Sequence, residues 1–166
     1  TEMRHRVKAM SYGLAYGLSA FGLAAQLKIS REEAKAQMDQ YFARFGGVRD
    51  YLRHVVDEAR TNEYTATLFG RRRYLPDLNS DNWQRRQSAE RMALNAPIQG
   101  TAADIIKVAM INVHKRLAAE GLSSRMLLQV HDELVVEVAA GERDAAEKLV
   151  REEMGSAITL SVPLEV

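Results

Sequence analysis

Apolar residues along this chain follow mostly a helical spacing, with short stretches of strand-like alternation. Residues 2–16 carry helix-forming side chains, and two glycines loosen the end of that run. Ser30 followed by Glu33 is a capping-box pattern, after which apolar side chains recur at helical spacing up to Phe45. Two glycines then allow the chain to turn into a second amphipathic run over 48–59. The pattern therefore predicts a helical hairpin.

The second half of the chain mixes helix and strand patterns. Alternating β-branched and aromatic residues over 64–75 predict a short hairpin with a basic tip. Helical spacing runs through Ala93 and resumes at Ala102, and we expect a kink or break at Pro97 because proline disfavours helix in the preceding residue. The remaining predicted elements are two strands, a helix and a short last strand, at 125–130, 133–138, 142–154 and near Val162. Together these elements predict an α+β fold.

Composition narrows the classes of function. The 166 residues have a formal net charge of only +1, so any basic surface for nucleic acid must be local. The absence of cysteine excludes disulfides and thiolate zinc sites, which leaves carboxylate, imidazole and water as metal ligands and favours magnesium. No apolar run is long enough to span a bilayer and no leader precedes the first helix, so we expect a soluble cytoplasmic protein.

Two cations and two tyrosines recur every fourth residue in the first predicted helix. On a helix Arg4, Lys8, Tyr12 and Tyr16 form one stripe, with neighbours about 6 Å apart along the axis. An arginine and a lysine at this separation can bind successive phosphates of a triphosphate, and a tyrosine one turn later can pack against sugar and base. The stripe alone is also compatible with a solvated basic face beside core aromatics.

Three segments of the chain resemble motifs of family A DNA polymerases. The first is Arg4-x3-Lys8-x3-Tyr12-Gly13, which is similar to the finger-helix signature called motif B. The second covers residues 91–104 and is similar to a palm segment beside the template and primer. The third is Gln129-Val130-His131-Asp132-Glu133, which is similar to motif C. The motifs occur in the family's order and spacing, and the resemblance extends over essentially the whole chain.

The resemblance implies roles for the first helix. Arg4 and Lys8 are expected to bind the phosphates of the incoming nucleotide, and Lys8 is expected to act as general acid toward the pyrophosphate. Tyr12 is expected to pack on the nucleotide sugar. Tyr16 is expected to stack at the templating position, where the neighbouring glycines leave room for a base.

The resemblance also assigns the second half of the chain. Asp132 is expected to be a metal ligand, Glu133 a neighbouring carboxylate and His131 a contact near the primer terminus. Three residues are expected to touch template or primer in the minor groove, whose acceptor pattern is shared by all base pairs: Arg91, Asn95 and Gln99. Without the flanking Gln129-Val130 and Glu133, the His131–Asp132 pair would favour a polar hairpin tip over a metal site.

One departure from the family limits the activity expected of the chain. Family members hold two magnesium ions between the motif C aspartate and an aspartate in a segment resembling Asp-Tyr-Ser-Gln-Ile-Glu, which does not occur here. Half of the ligands are therefore missing. We expect residues 1–90 to be fingers and 91–166 a partial palm of a longer bacterial, nucleoid-associated polymerase that includes a thumb. Its partners would be primer–template DNA and deoxynucleoside triphosphates, and the isolated chain should be inactive.

Two other classes of function stay open at this point. The chain could be a non-catalytic module that keeps only the nucleotide and DNA contacts. It could also be a metal phosphohydrolase that uses the His131–Asp132 doublet. Such doublets need further histidine and aspartate ligands within a helical bundle, whereas this one is predicted between two strands, so the sequence disfavours the phosphohydrolase.

Overall fold

The computed structural model describes residues 2–166, except for the side chains of Glu2 and His5. The chain separates into two compact units, one ending at Gly100 and one starting at Thr101. The elements are α1 (Glu2–Ala15), α2 (Ala20–Leu27), α3 (Arg31–Arg44), α4 (Gly46–Asn62), β1 (Tyr64–Ala66), β2 (Arg72–Tyr74), a 3-10 turn (Pro76–Asn79), α5 (Trp83–Ala119), β3 (Arg125–Val130), β4 (Glu133–Glu137) and α6 (Arg143–Gly155). The predicted α+β class is confirmed. None of the helices within residues 2–166 is long and apolar enough to cross a membrane.

The end of α1 is a Schellman motif built on Gly17. The amide of Leu18 donates to the carbonyl of Gly13 at 2.8 Å, and the amide of Gly17 donates to the carbonyl of Leu14 at 3.1 Å. Gly17 has φ 74, a conformation that favours glycine. The Leu18 side chain folds back onto Gly13, where a β-carbon would lie 2.6 Å from Leu18 Cδ2. These contacts fix the direction in which the chain leaves α1.

Serine caps start the next two helices. Ser30 Oγ accepts a hydrogen bond from the amide of Glu33 at 3.0 Å, as the capping pattern predicts. Ser19 Oγ accepts one from the amide of Gly22 at 3.2 Å and begins α2, a helix that the apolar pattern did not predict. Leu23 of α2 and Ala34 of α3 are buried together and form the centre of an apolar cluster.

The rest of the first unit packs on one face of α5. Ala59 of α4 is buried with Leu75, Leu78, Ala89 and Ala93 in a single cluster. Beside this cluster an ion pair joins the Arg60 guanidinium of α4 to the Glu90 carboxylate of α5. The antiparallel strands β1 and β2 pair Tyr64 with Tyr74, which confirms the predicted hairpin.

The expected break at Pro97 is not formed, because α5 is one continuous helix that contains this proline. A proline inside a helix removes one amide donor and crowds the preceding turn, which usually kinks or ends the helix. Here the turns before Pro97 are fixed by tertiary packing, since Ala89 and Ala93 are fully buried. That packing overrides the local preference for a break.

The second unit is a β-hairpin packed with helices. β3 and β4 are antiparallel, with the pairs running from Arg125 with Glu137 to Val130 with Glu133 and an irregularity between Met126 and Leu128. Val113 and Leu117 of α5 are buried with Leu149 of α6, and Leu134 of β4 packs against them. The expected short strand near Val162 is not formed, because within residues 2–166 neither two-stranded sheet includes a pairing partner for it.

Two polar clusters tie this unit together. The Arg116 guanidinium of α5 donates hydrogen bonds to Glu152 and Glu153 of α6 and to Glu120, directly after α5. These bonds, the one to Glu152 first, raise the pKa of Arg116 above its ordinary value. The Glu142 carboxylate, just before α6, accepts from the amides of Ser123 and Ser124 at 2.9 and 2.8 Å and from the Ser124 hydroxyl at 2.6 Å. Ser124 Oγ in turn accepts from the amide of Ala139 at 3.0 Å. Glu142 thereby joins both ends of the β3–β4 hairpin.

We expect Glu142→Gln to speed amide hydrogen exchange at Ser123 and Ser124. Hydrogen bonds, the Ser124 hydroxyl first, hold the pKa of Glu142 below its ordinary value of 4.5. A lowered folded-state pKa stabilises the fold fully above the unfolded pKa, and this stabilisation is lost as pH falls through the folded pKa. The exchange difference from the parent should be largest near neutral pH and disappear in acid.

Glu165→Gln is the matched control, since Glu165 is an exposed carboxylate of the same unit. Equal exchange in the parent and Glu142→Gln at neutral pH would show that the carboxylate does not hold the hairpin.

Candidate nucleotide and DNA site

The cation and tyrosine stripe of α1 lies along an open groove. Arg4, Lys8 and Tyr12 line this groove of about 720 Å³ together with Met3 and Val7. Lys8 Nζ lies 5.7 Å from the centroid of the Tyr12 ring, within the range of a cation–π contact. Tyr12 is 58% exposed, which leaves part of its side chain accessible to a ligand. The structure brings these three predicted nucleotide-binding residues together on one surface.

Tyr16 is separate from that groove. It is half-buried at the C-terminal end of α1, where the Schellman motif places it. A β-carbon on Gly13 would lie 2.6 Å from Leu18, and one on Gly17 would lie 2.8 Å from Leu94. The direction of a β-carbon at each glycine is thus occupied by a leucine side chain of the chain itself. The expectation that the two glycines leave room for a base stays a prediction. The templating role of Tyr16 stays a prediction.

Another cavity of the first unit, larger than the α1 groove, has a different lining. It measures about 800 Å³ and is bordered by helices α3 and α4, with Leu14 and Gly17 at the end of α1. Arg4, Lys8, Tyr12 and Tyr16 do not line it. A choice of site by cavity volume alone would therefore have missed the residues that the sequence motifs identify.

Three predicted DNA contacts form a second stripe, on α5. Arg91, Asn95 and Gln99 are four residues apart, so they lie on one face of the helix. Arg91 and Gln99 are exposed, while Asn95 is half-buried. Asn95 Oδ1 is buried and accepts no hydrogen bond within residues 2–166. Because a buried acceptor without a donor costs about 1–3 kcal/mol, such a group is a candidate for a functional contact.

The tip of the β1–β2 hairpin packs against α5 directly after Gln99. Arg71 Nη2 donates to the carbonyl of Gly100 at 3.0 Å, and a β-carbon on Gly100 would lie 2.6 Å from the Thr67 methyl. Sequence reasoning missed this contact, because its partners are 29 residues apart. The glycine in the motif was the available signal, since a glycine inside a helix often permits a close approach.

The β3–β4 turn carries the other predicted site residues. His131 and Asp132 form a two-residue turn between Val130 and Glu133, as the sequence predicts. His131 has φ 56, in the left-handed region. Asp132 and Glu133 are exposed and border a groove of about 530 Å³. Apolar residues of β4 and α6 also line this groove. The structure therefore brings these two carboxylates to one edge of a groove.

The carboxylate oxygens at this turn are ligands of the type that magnesium prefers, but only two carboxylates lie there. Magnesium prefers carboxylate oxygens and uses one or two carboxylates together with water and substrate phosphates. The part of the chain that the structure describes contains no group of three or more histidine, aspartate or glutamate side chains able to hold a metal ion. Asp132 can supply one such oxygen ligand, and Glu133 is the carboxylate next to it.

The predicted residues form two sets, and each set lies within its own unit. Arg4, Lys8 and Tyr12 share the α1 groove, and the α5 stripe belongs to the same unit. His131, Asp132 and Glu133 belong to the second unit. One set suits a nucleotide and DNA, and the other suits a metal ion.

This α+β chain thus carries two cations and a tyrosine along one helix and neighbouring carboxylates at a hairpin turn, side chains that suit phosphate and metal chemistry. The family model described as DNA polymerase family A matches residues 1–166. The chain belongs to DNA polymerase family A.

Individual relatives agree with the family. DNA polymerase I of Mycobacterium leprae is 72% identical over 165 residues, and that of Streptococcus pneumoniae is 55% identical over 161 residues. These matches cover 99% and 97% of this chain but 18% of each relative, so the chain spans about a fifth of their length.

A solved structure is also similar. The POL domain of Pol1 from M. smegmatis, in complex with DNA primer-template and dNTP, matches with a TM-score of 0.96 and 70% identity. The match covers 99% of this chain and 29% of that one.

Proposed function

We propose that this chain is part of a DNA-directed DNA polymerase that carries out template-directed nucleotidyl transfer. About residues 1–90 would form its fingers and 91–166 part of its palm. The observation that carries the proposal is the single groove shared by Arg4, Lys8 and Tyr12 on α1. Membership of DNA polymerase family A and the solved relative described with primer-template and dNTP support it.

In this proposal α1 binds the incoming nucleotide. Arg4 and Lys8 are both exposed, and each can donate charge-assisted hydrogen bonds to phosphate oxygens. Tyr12 packs on the sugar. Lys8 delivers a proton to the pyrophosphate as it leaves, which requires that its ammonium lie within hydrogen-bond reach of the leaving oxygen.

The primer terminus and the metal ions are handled by the second unit. The primer 3′-hydroxyl attacks the α-phosphate in line, its bond to the phosphorus forms, and the bond to pyrophosphate breaks. Asp132 would hold magnesium, which when bound lowers the hydroxyl pKa and neutralises charge on the phosphates. His131 contacts the primer terminus, and Glu133 is the carboxylate next to Asp132. A second aspartate, from residues outside this chain, completes the site.

DNA would be contacted through α5. Arg91, Asn95 and Gln99 form one exposed to half-buried stripe that can meet template and primer in the minor groove. Such contacts test base-pair geometry without reading sequence, which suits an enzyme that copies any template. The substrates and partners are then primer–template DNA, deoxynucleoside triphosphates and the thumb and remaining palm of the full-length protein. We place that protein in the bacterial cytoplasm, associated with the nucleoid.

We expect the full-length protein that carries this chain to extend a labelled primer with all four nucleotides, and residues 1–166 alone to give no extension. Half of a two-metal site should not activate the primer hydroxyl. The measurement is gel analysis of extension, after circular dichroism has confirmed that the 166-residue chain is helical. Template-dependent products from the short chain would overturn the requirement for a second aspartate.

The same experiment tests the non-catalytic alternative. A nucleotide- and DNA-binding module would bind labelled primer–template in a fluorescence anisotropy titration, yet the full-length protein would leave the primer unextended with magnesium present.

A further inference from the structure

The turn between β3 and β4 contains a backbone conformation that residues with a β-carbon adopt uncommonly. His131 has φ 56, and of the two turn residues it is the one in the left-handed region. A residue with a β-carbon is crowded there, so such a position is usually filled by glycine and less often by asparagine, aspartate or histidine. Conformations of this kind persist where surrounding contacts hold them.

The side chain of Gln129 supplies such a contact. Its Nε2 donates a hydrogen bond of 2.6 Å to the carbonyl oxygen of His131, two residues further along. That carbonyl belongs to the peptide group joining His131 to Asp132. Fixing the plane of this peptide restricts the φ angle of Asp132, and therefore the direction in which its carboxylate leaves the turn.

The base of the hairpin is anchored independently of this bond. Gln129 pairs with Leu134 across the strands, and Leu134 packs against the apolar cluster of Val113, Leu117 and Leu149. The last strand pair before the turn is Val130 with Glu133. The Gln129 amide thus extends the rigid part of the hairpin to the exposed residues at its tip.

We propose that Gln129 is a positioning residue for Asp132. Its amide holds the His131 carbonyl, the held peptide keeps the turn in its left-handed form, and the turn aims the Asp132 carboxylate. Gln129 acts through the backbone and touches neither nucleotide nor metal. The inference rests on the proposed function, in which Asp132 is a metal ligand. It is independent of the parts of the polymerase outside this chain, because all the atoms involved lie within four residues.

The test uses the full-length protein. Gln129→Leu removes the donor at similar size, whereas Gln129→Lys keeps a donor of similar reach. We expect Gln129→Leu to lower kcat for primer extension about 10- to 100-fold, the usual loss when a support of a metal ligand is removed. The nucleotide KM and the Kd for primer–template should stay within a few-fold, and Gln129→Lys should recover most of the loss. Gln40→Leu, at an exposed glutamine of α3, is the matched control.

Hydrogen exchange gives a readout that does not depend on activity. Amides of the peptide spanning residues 128–135 should exchange faster in Gln129→Leu than in the parent or in Gln129→Lys. A second comparison uses His131→Gly, because glycine adopts a positive φ without strain. Adding Gln129→Leu to that variant should lower kcat by a smaller factor than adding it to the parent.

Four results would overturn the proposal. Unchanged exchange in Gln129→Leu would show that Gln129 does not hold the turn. Faster exchange with an unchanged kcat would show that the conformation of the turn does not position the Asp132 carboxylate. A weakened Kd for DNA with unchanged kcat would make Gln129 a direct DNA contact. An equal loss in the His131→Gly background would exclude the left-handed turn as the reason. Failure of the proposed function looks different, since the parent itself would then not extend a primer.

Discussion

Asp132→Ala in the full-length protein should abolish primer extension while leaving primer–template affinity within a few-fold of the parent. A metal ligand contributes most when charge develops on the phosphoryl group, so its loss is felt in the transition state and little in DNA binding. A loss of about 4 kcal/mol of transition-state stabilisation corresponds to about a thousandfold in rate. The measurement is single-turnover extension of a labelled primer, paired with an anisotropy titration of the same DNA.

The chain offers a matched control for this change. Asp144→Ala removes an exposed carboxylate of the same unit, in the first turn of α6, and should leave turnover within a few-fold. Turnover of Asp132→Ala within a few-fold of the parent would remove Asp132 from the metal site. A loss of DNA affinity as large as the loss of rate would instead indicate a binding role.

Local signals in the sequence predicted most of the elements, because their physical causes are local. The Ser30 cap and the helical spacing after it were sufficient for α3, since both act within a few residues. The same kind of cap at Ser19 begins α2, yet this helix was missed. Its eight residues are apolar on almost every side, so they show no amphipathic period, and only the serine marked its start.

Tertiary packing accounts for the wrong expectation at Pro97. The rule that proline ends a helix considers only local effects, namely the lost hydrogen bond and the clash with the preceding turn. In α5 the turns before Pro97 carry Ala89 and Ala93, which are buried with residues of α4 and of the segment after β2. That environment is not visible in the local pattern. The missing strand near Val162 has a related cause, since a strand needs a partner that the sequence pattern does not identify.

The candidate site was predictable where residues share one element. The α1 stripe and the α5 stripe follow from a spacing of four on a helix, and the His131–Asp132 turn follows from two flanking strands. The supports of the site were not predictable. The bond from Arg71 to the Gly100 carbonyl joins distant parts of the chain, and the bond from Gln129 depends on the φ angle of His131.

Tyr12→Phe should sharply lower the incorporation of 2′,3′-dideoxynucleotides in the full-length protein and change normal incorporation little. Tyr12 follows Lys8 by one turn in the same groove, so its ring can pack against the nucleotide sugar while its hydroxyl faces the 3′ side. A normal nucleotide fills that space with its own 3′-hydroxyl. A dideoxynucleotide leaves the space empty, and the tyrosine hydroxyl can then donate the missing hydrogen bond to the phosphates, whereas phenylalanine cannot.

The expected size follows from the cost of an unpaired polar group. Leaving such a group without its hydrogen bond costs about 1–3 kcal/mol, which corresponds to a fall of about 5- to 150-fold in the preference for the dideoxynucleotide. The ring itself is unchanged, so its contact with the Lys8 ammonium and its packing on the sugar are kept. For this reason the rate and KM for the normal nucleotide should stay within a few-fold.

The measurement is a competition between dideoxy- and deoxynucleotide during extension, read as the ratio of terminated to extended products. Tyr16→Phe is the matched comparison, because it removes the same oxygen one turn further along and outside the groove, and its ratio should equal that of the parent. An unchanged ratio in Tyr12→Phe would remove the Tyr12 hydroxyl from the sugar pocket. The two tyrosines differ in that Tyr12 lines the groove and Tyr16 does not. An equal fall of the product ratio in both variants would therefore show that the effect does not depend on the groove.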